Sequence, residues 1–331
     1  CAGLLYLVLS AICKACGSSN VMKYFPPVVT GPIIIAIGLN LAPSAINNCS
    51  TNWWIALVAI VVVIACNIWG KGMIKIIPIL LGVIASYLVA AVTGNVDFTL
   101  VKDAAWLGVP VIWSNTGFSV FTNGDTNWGM VITSIITIVP IAFATMMEHV
   151  GDISAIGGTV GKNFIKDPGL HRTLLGDGVA TALAGLIGGP ANTTYGENTG
   201  VLELSHVYDP LVIRIAACLA IIISFIPKVS AIISTMPSAI IGGVSFMLYG
   251  MISAIGVRNV VENKVDLTKS RNLIITGVIF VCGLGFSDGL TFTVAGTSIT
   301  LTALSIAAIA GILLNIILPG NDYEFDESSD L

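Results

Sequence analysis

Residues 188–200 read G-G-P-A-N-T-T-Y-G-E-N-T-G. They place glycine, proline, asparagine, threonine and the carboxylate of Glu197 in a chain that is otherwise strongly apolar. From Thr173 to Pro190 the only charge is Asp177, and between Glu203 and Lys228 only Asp209 and Arg214 interrupt the run. A segment of this composition cannot hold an ordinary spanning helix. Irregular backbone at membrane depth persists only where protein buries it or where it lines a cavity. An ionisable side chain at that depth marks a functional site by default.

The rest of the composition agrees with a membrane setting. Of 331 residues, 55% are hydrophobic and 10% charged, and the mean hydropathy is +0.95. A soluble domain carries about 25% charged residues, so a globular enzyme on a single anchor is excluded. The net charge of −4 decides little, because the placement of charge matters more than its sum. The seven cysteines are scattered, mostly within apolar runs, and Cys13-x-x-Cys16 has no second pair to complete a metal site. They read as small hydrophobes.

A bilayer core takes about 20 apolar residues per helix. Ten apolar runs fit: 1–13, 26–46, 53–69, 76–96, 128–147, 173–189, 215–236, 238–257, 273–287 and 294–318, with Asp177 and Lys228 the two charges within them. A half-length segment, 195–207, makes an eleventh, broken one. With the C-terminus placed in the cytoplasm, Lys14, Lys23, Lys71, Lys75, Lys162, Lys166, Arg172, Arg214, Arg258, Lys264, Lys269 and Arg271 fall inside, and only Lys102 and Lys228 outside. The positive-inside rule selects that orientation. The external loop 97–127 carries Trp106, Trp113, Phe118 and Phe121, which suits an interfacial lid or a plain loop.

Two spans open alike, with Pro26-x4-Gly31 and Pro237-x4-Gly242, and enter the membrane from opposite sides. Inverted-topology repeats produce this pattern. The offset is 211 residues. Partners of segments 128–207 would then lie before residue 1, so about three preceding spans are expected.

Polar residues in or beside these runs carry the candidate chemistry. Glu148 follows about twenty uncharged residues and shares a helix face with Asp152, four positions on. His149 points about 100° away. Glu148, His149 and Asp152 together could relay a proton, or they mark a helix end meeting water. Asp177, Glu203 and His206 read as groups near the cytoplasmic ends of their segments. Around Glu197, residues 190–195 are extended in character, and Gly196 can accept a tight turn from which a short helix starts. A half-helix start presents free N–H groups and a positive dipole end. Glu197 beside it accepts a hydrogen bond. Donors and an acceptor together fit a flat heterocycle with alternating C=O and N–H groups. There is no H-E-x-x-H, G-x-S-x-G or P-loop, and those motifs would be the marks of zinc, acyl-transfer or nucleotide chemistry.

Four stretches together resemble the nucleobase–ascorbate transporter family, on its bacterial uracil-permease branch. They are Glu148-His149-Val150-Gly151, Lys166-Asp167-Pro168-Gly169-Leu170-His171-Arg172, residues 190–200, and Gly242-Gly243-Val244-Ser245 with Leu248-Tyr249-Gly250. The resemblance implies an all-α polytopic membrane protein of fourteen segments in two inverted repeats. It has core and gate domains, and a broken half-helix with a short extended segment. This chain would supply about eleven of the fourteen. On that reading 1–16 is the last core segment of the first repeat and 24–96 its gate. Residues 97–127 form the external loop, 128–236 the second-repeat core, 237–318 the second-repeat gate, and 319–331 an acidic cytoplasmic tail. The resemblance gives Glu148, Gly196 and Glu197 as substrate-binding residues, with Asn192, Thr193, Thr194, Tyr195 and Asn198 as the scaffold. It leaves Glu148, His149 and Asp152 as proton-coupling candidates. Uracil permeases often carry His where this chain has Asp152, and Ser205 and His206 also depart from the usual signature.

The expected function is proton-coupled uptake of uracil across the inner membrane by alternating access. Alternatives are a xanthine or other purine symporter of the same family, an anion transporter of the same fold, or a membrane-embedded enzyme. An anion carrier would prefer a basic or neutral residue at Glu197. The expected partners are a nucleobase, a proton, the lipid bilayer and a homodimeric second copy. No cofactor, metal or nucleic acid is expected.

Overall fold

A computed structural model describes residues 1–122, 126–195, 198–199, 202, 205–286, 289–294 and 297–320. Its helices are α1 (Ala2–Cys16), α2 (Ser18–Met22), α3 (Pro27–Ser50), α4 (Trp53–Trp69), α5 (Met73–Ile76), α6 (Pro78–Val92), α7 (Thr99–Asp103) and α8 (Ser119–Thr122). They continue with α9 (Trp128–Val160), α10 (Leu170–Leu186), α11 (Pro210–Ser224), α12 (Pro227–Ser234), α13 (Ser238–Glu262), α14 (Ser270–Gly285) and α15 (Ala303–Ile317). Before α15 lies a hairpin of β1 (Leu290–Val294) and β2 (Thr297–Leu301).

By length and composition, α3, α9 and α13 can each cross a membrane. The pair α11 and α12 passes the same test together but bends by 89°. Helices α1, α4, α6, α14 and α15 are shorter and apolar. Every residue of α11 is exposed. Its side chains are mostly Ile, Leu, Val and Ala, so lipid rather than water suits its surface.

Three of the expected spans are corrected. The run 215–236 is two helices, not one. Pro227 lacks an N–H and disfavours α geometry at the residue before it, and Ile226 sits at φ −110, ψ 88. The run 128–147 extends to Val160, ending at Gly161 in the left-handed region (φ 73, ψ 33), a common helix stop. Glu148, His149 and Asp152 therefore lie well inside α9. The run 294–318 is strand and then helix. The stretches L-T-F-T-V and T-S-I-T-L alternate and are rich in β-branched residues, and they pair antiparallel with Leu290 opposite Leu301 and Val294 opposite Thr297. This hairpin departs from the all-α expectation.

The chain forms two units. The first comprises Cys1–Asn40, Trp113–Thr199 and Met251–Leu331. Its helices meet through small residues, as membrane helices do when van der Waals packing drives association. Helix α1 lies on α10 at Gly3 and Gly178, where a Cβ on Gly178 would stand 2.7 Å from the Tyr6 Cβ. Helices α3, α14 and α15 converge at Gly283 and Gly311, whose missing Cβ atoms leave room for Ala36 and Ile279 respectively. Val29, Ile33, Ile275, Ile279, Ala307 and Ala308 are fully buried there.

The second unit comprises Leu41–Ile112 and Gly200–Gly250. Its core is Cys49, Ile55, Ala56, Ala90, Ala239 and Ile240, with Val83, Tyr87 and Val96 against it. A Cβ at Gly82 would lie 2.5 Å from Val63, and one at Gly243 2.5 Å from the Ala56 carbonyl oxygen. In this unit Lys228 donates to the Val101 carbonyl at 2.8 Å and lies 5.2 Å over the Trp106 ring.

These close approaches lead to a testable contrast. At Gly242 a Cβ would meet the Cys49 amide nitrogen and stand 2.7 Å from the Asn48 carbonyl carbon, both backbone atoms that cannot move aside. At Gly250 it meets nothing within 4 Å. Gly242→Ala is expected to cost about 1–3 kcal/mol through overpacking, and Gly250→Ala close to nothing. Thermal unfolding of the two variants in detergent measures this; equal melting temperatures would contradict the packing.

Candidate functional site

The buried polar cluster lies within the first unit and draws on α1, α9, α10 and the segment after α10. Helix α9 brings Glu148, His149 and Asp152. His149 is 4% exposed and Asp152 2%, so the reading of a helix end in water is overturned. Helix α10 brings Thr173, Asp177 and Thr181, spaced four apart and hence on one face. Residues 189–195 are neither helix nor strand, in keeping with their proline, asparagine and threonine content.

His149 is the hub. Its Nδ1 lies 2.7 Å from Thr194 Oγ1 and 3.2 Å from Asp177 Oδ2. The Thr194 hydroxyl donates to the same Asp177 oxygen at 3.4 Å. A hydroxyl that has given away its proton can only accept, so Nδ1 carries a hydrogen. On the other side of the ring, Nε2 lies 3.1 Å from Thr173 Oγ1. That hydroxyl also reaches the Leu170 carbonyl at 3.0 Å. Thr173 has one proton. Given to Leu170, it leaves Nε2 as a donor and His149 as an imidazolium beside Asp177. Given to Nε2, it leaves a neutral ring. Rotation of one hydroxyl therefore accommodates both protonation states.

Around this hub, Thr193 donates to Glu148 Oε2 at 3.4 Å, and Thr181 donates to the Asn192 carbonyl at 3.3 Å. Tyr6 of α1 donates to Thr145 at 2.8 Å, and its ring stands edge-on to His149 at 6.3 Å. The buried helices are thus tied by side chains to the non-helical segment, which leads in sequence to Glu197.

The structure brings together Glu148, His149, Asn192, Thr193 and Thr194, with Asp152 one turn along α9. Tyr195 is exposed, as is Asn198, whose amide donates to the Tyr195 carbonyl at 3.2 Å. Gly196 and Glu197 lie outside the described residues, as does Glu203. Asp177 is a correction: it does not face water at a helix end, because its side chain is 10% exposed and paired with His149. Sequence reading also missed Tyr6, Thr173 and Thr181. The four-residue spacing of Thr173, Asp177 and Thr181 was the available signal; Tyr6, alone in an apolar helix, gave none.

Long apolar helices around a buried polar cluster, with backbone interrupted beside it, define a multi-pass membrane protein of the transporter class. The sequence profile described as "Permease family" matches residues 1–292. The chain belongs to the nucleobase–ascorbate transporter family. It is 41% identical over 342 residues to the "Uracil permease" of Bacillus subtilis (strain 168), covering 99% of this chain and 76% of that protein. It is 38% identical to the "Probable uracil permease" of Haemophilus influenzae, over 96% of this chain and 74% of the relative. It is 37% identical to the "Putative pyrimidine permease RutG" of Escherichia coli (strain K12), over 96% and 69%. These relatives are named permeases, which points away from an enzyme.

Proposed function

We propose that this chain is a proton-coupled uracil permease that works by alternating access. The observation that carries the reading is the Glu148–His149–Asp177 cluster, hydrogen-bonded to Thr193 and Thr194, which precede Gly196 and Glu197 in the chain with Tyr195 between. Glu148 and Glu197 accept hydrogen bonds from the ring N–H groups of the base, and the Gly196 backbone donates to its carbonyl. Asn192, Thr193, Thr194, Tyr195 and Asn198 hold that segment in place. Relatives named for uracil and pyrimidine support the substrate class.

The proton-coupling candidates are Glu148, His149 and Asp152. The two hydrogen-bonding states open to His149 support a proton entering here. Asp152→Asn is expected to bind uracil as well as the unaltered protein does while losing gradient-driven accumulation. Binding to purified protein and uptake in cells lacking their own uracil transport separate the two effects. Uptake that follows sodium and ignores both pH and protonophores would remove the proton from the mechanism. Competition of labelled uracil by a panel of bases tests the substrate; preferential inhibition by xanthine would favour a purine symporter.

The inverted repeat, with 24–96 and 237–318 as gate and 1–16 and 128–236 as core, is part of the same reading. Its support is a pair of contacts. A Cβ at Gly31 would strike Val260, and one at Gly242 would strike Cys49. A shift of 211 residues carries Gly31 onto Gly242 and Cys49 onto Val260, so each contact maps onto the other. The same shift carries Asn48 onto Asn259. The proposed setting is the inner membrane, with a cytoplasmic C-terminus. The contact of Lys228 with the backbone of Val101 and Lys102 supports the orientation, since Lys102 and Lys228 are the two basic residues it leaves outside.

A further inference from the structure

The opposite charge grouping lies in the first unit, away from the His149 cluster. A cavity of about 150 Å³ is lined by Pro26, Pro27 and Val28 at the start of α3, and by residues 263–266, Lys269, Arg271, Asn272 and Asn315. Several water molecules' worth of space is available there, at about 30 Å³ each. Three cations, Lys264, Lys269 and Arg271, line it together with one anion, Asp266.

The floor of the cavity is a built polar framework. Arg271 donates to the Asn315 carbonyl at 2.9 Å and to its side-chain oxygen at 2.8 Å. Asn315 in turn donates to the Lys23 carbonyl at 3.0 Å, and Asn272 to the Asp266 carbonyl at 2.9 Å. Both asparagines are buried. The Asp266 carboxylate is taken up locally: it accepts from the Thr268 hydroxyl at 2.6 Å and the Thr268 amide at 2.9 Å. The long helix α3 begins at the cavity wall. Pro27 has no N–H, and the dipole of α3 adds positive potential at that end. The surroundings are therefore net positive, partly enclosed and open to further hydrogen bonds.

We infer that this cavity binds a phosphate oxyanion, supplied by the headgroup of an anionic phospholipid. Lys264, Lys269 and Arg271 fall on the face the basic residues assign to the cytoplasm. Basic pockets between spans on that face are where anionic headgroups bind. Arg271 positions the wall by holding the end of α15, while Lys264 and Lys269, both exposed, supply adjustable charge.

The test uses the protein from its complete gene, purified in detergent. Its binding to phosphatidylglycerol, phosphatidylcholine and inorganic phosphate is measured by native mass spectrometry and by thermal shift. Phosphatidylglycerol is expected to bind and to raise the melting temperature, with phosphatidylcholine weaker. Lys264→Gln with Lys269→Gln should weaken phosphatidylglycerol binding roughly thirtyfold, about fivefold per charge. Asp266→Asn should strengthen it, and uracil binding should stay unchanged in both variants. Inorganic phosphate that binds as tightly as the lipid would assign the same oxyanion site to a soluble source. Unchanged lipid binding in the double variant would overturn the site.

Discussion

Asp177→Ala is expected to destabilise the protein by about 1–3 kcal/mol, the range for leaving a buried hydrogen-bond donor without its partner. The loss follows from the geometry. His149 is buried, and its Nδ1–H points at Asp177 and Thr194. Without the carboxylate, the Nδ1–H loses its charged acceptor and Thr194 loses the acceptor for its hydroxyl. Asp177→Asn keeps a side-chain oxygen that can accept, so it should cost less than the alanine variant. The readouts are thermal unfolding in detergent and the yield of monodisperse protein. An alanine variant as stable as the unaltered chain would show that the pair does not hold α9 to α10.

Glu197→Gln is expected to weaken uracil binding ten- to a hundredfold. A hydrogen bond to a charged group contributes about 1.5–3 kcal/mol, and the new NH2 can face a ring donor and add repulsion. Folding should be unaffected, because the substitution is nearly isosteric, so binding and unfolding temperature together isolate the effect. Uracil binding equal to that of the unaltered protein would remove Glu197 from the base site. Asp177→Ala and Glu197→Gln thus divide the proposed site into a part that builds it and a part that reads the ligand.

Much of the candidate site was legible from residue order alone. Glu148 and Asp152 stand out because they close an apolar run, and a polar group in hydrocarbon must be compensated; Thr193 and Thr194 stand out as part of the Gly/Pro/Asn/Thr stretch that cannot be an ordinary spanning helix. Asp177 interrupts an apolar run. Yet its distance from Arg172 suggested a helix end, and nothing in one helix reveals which face another helix covers. His149 was a proton-coupling candidate from the start, although it points away from Glu148 and Asp152 around the helix. It became central because α10 and the non-helical segment close over that other face.

For this protein, sequence by itself determined the membrane setting, the places where most helices run, the family and the interrupted segment before Glu197. Those follow from hydropathy, proline and glycine chemistry and charge placement, all of which act over a few residues. Tertiary structure decided that α9 continues past Glu148 to Val160, that α11 and α12 break at 89°, and that residues 290–301 pair as a hairpin. It also decided that His149 and Asp177 meet, and that three basic residues share one cavity. The last two depend on side chains from distant positions satisfying one another, which packing supplies and local preference does not; the first three have local causes, in Gly161, Pro227 and the β-branched alternation, that counting apolar residues passes over.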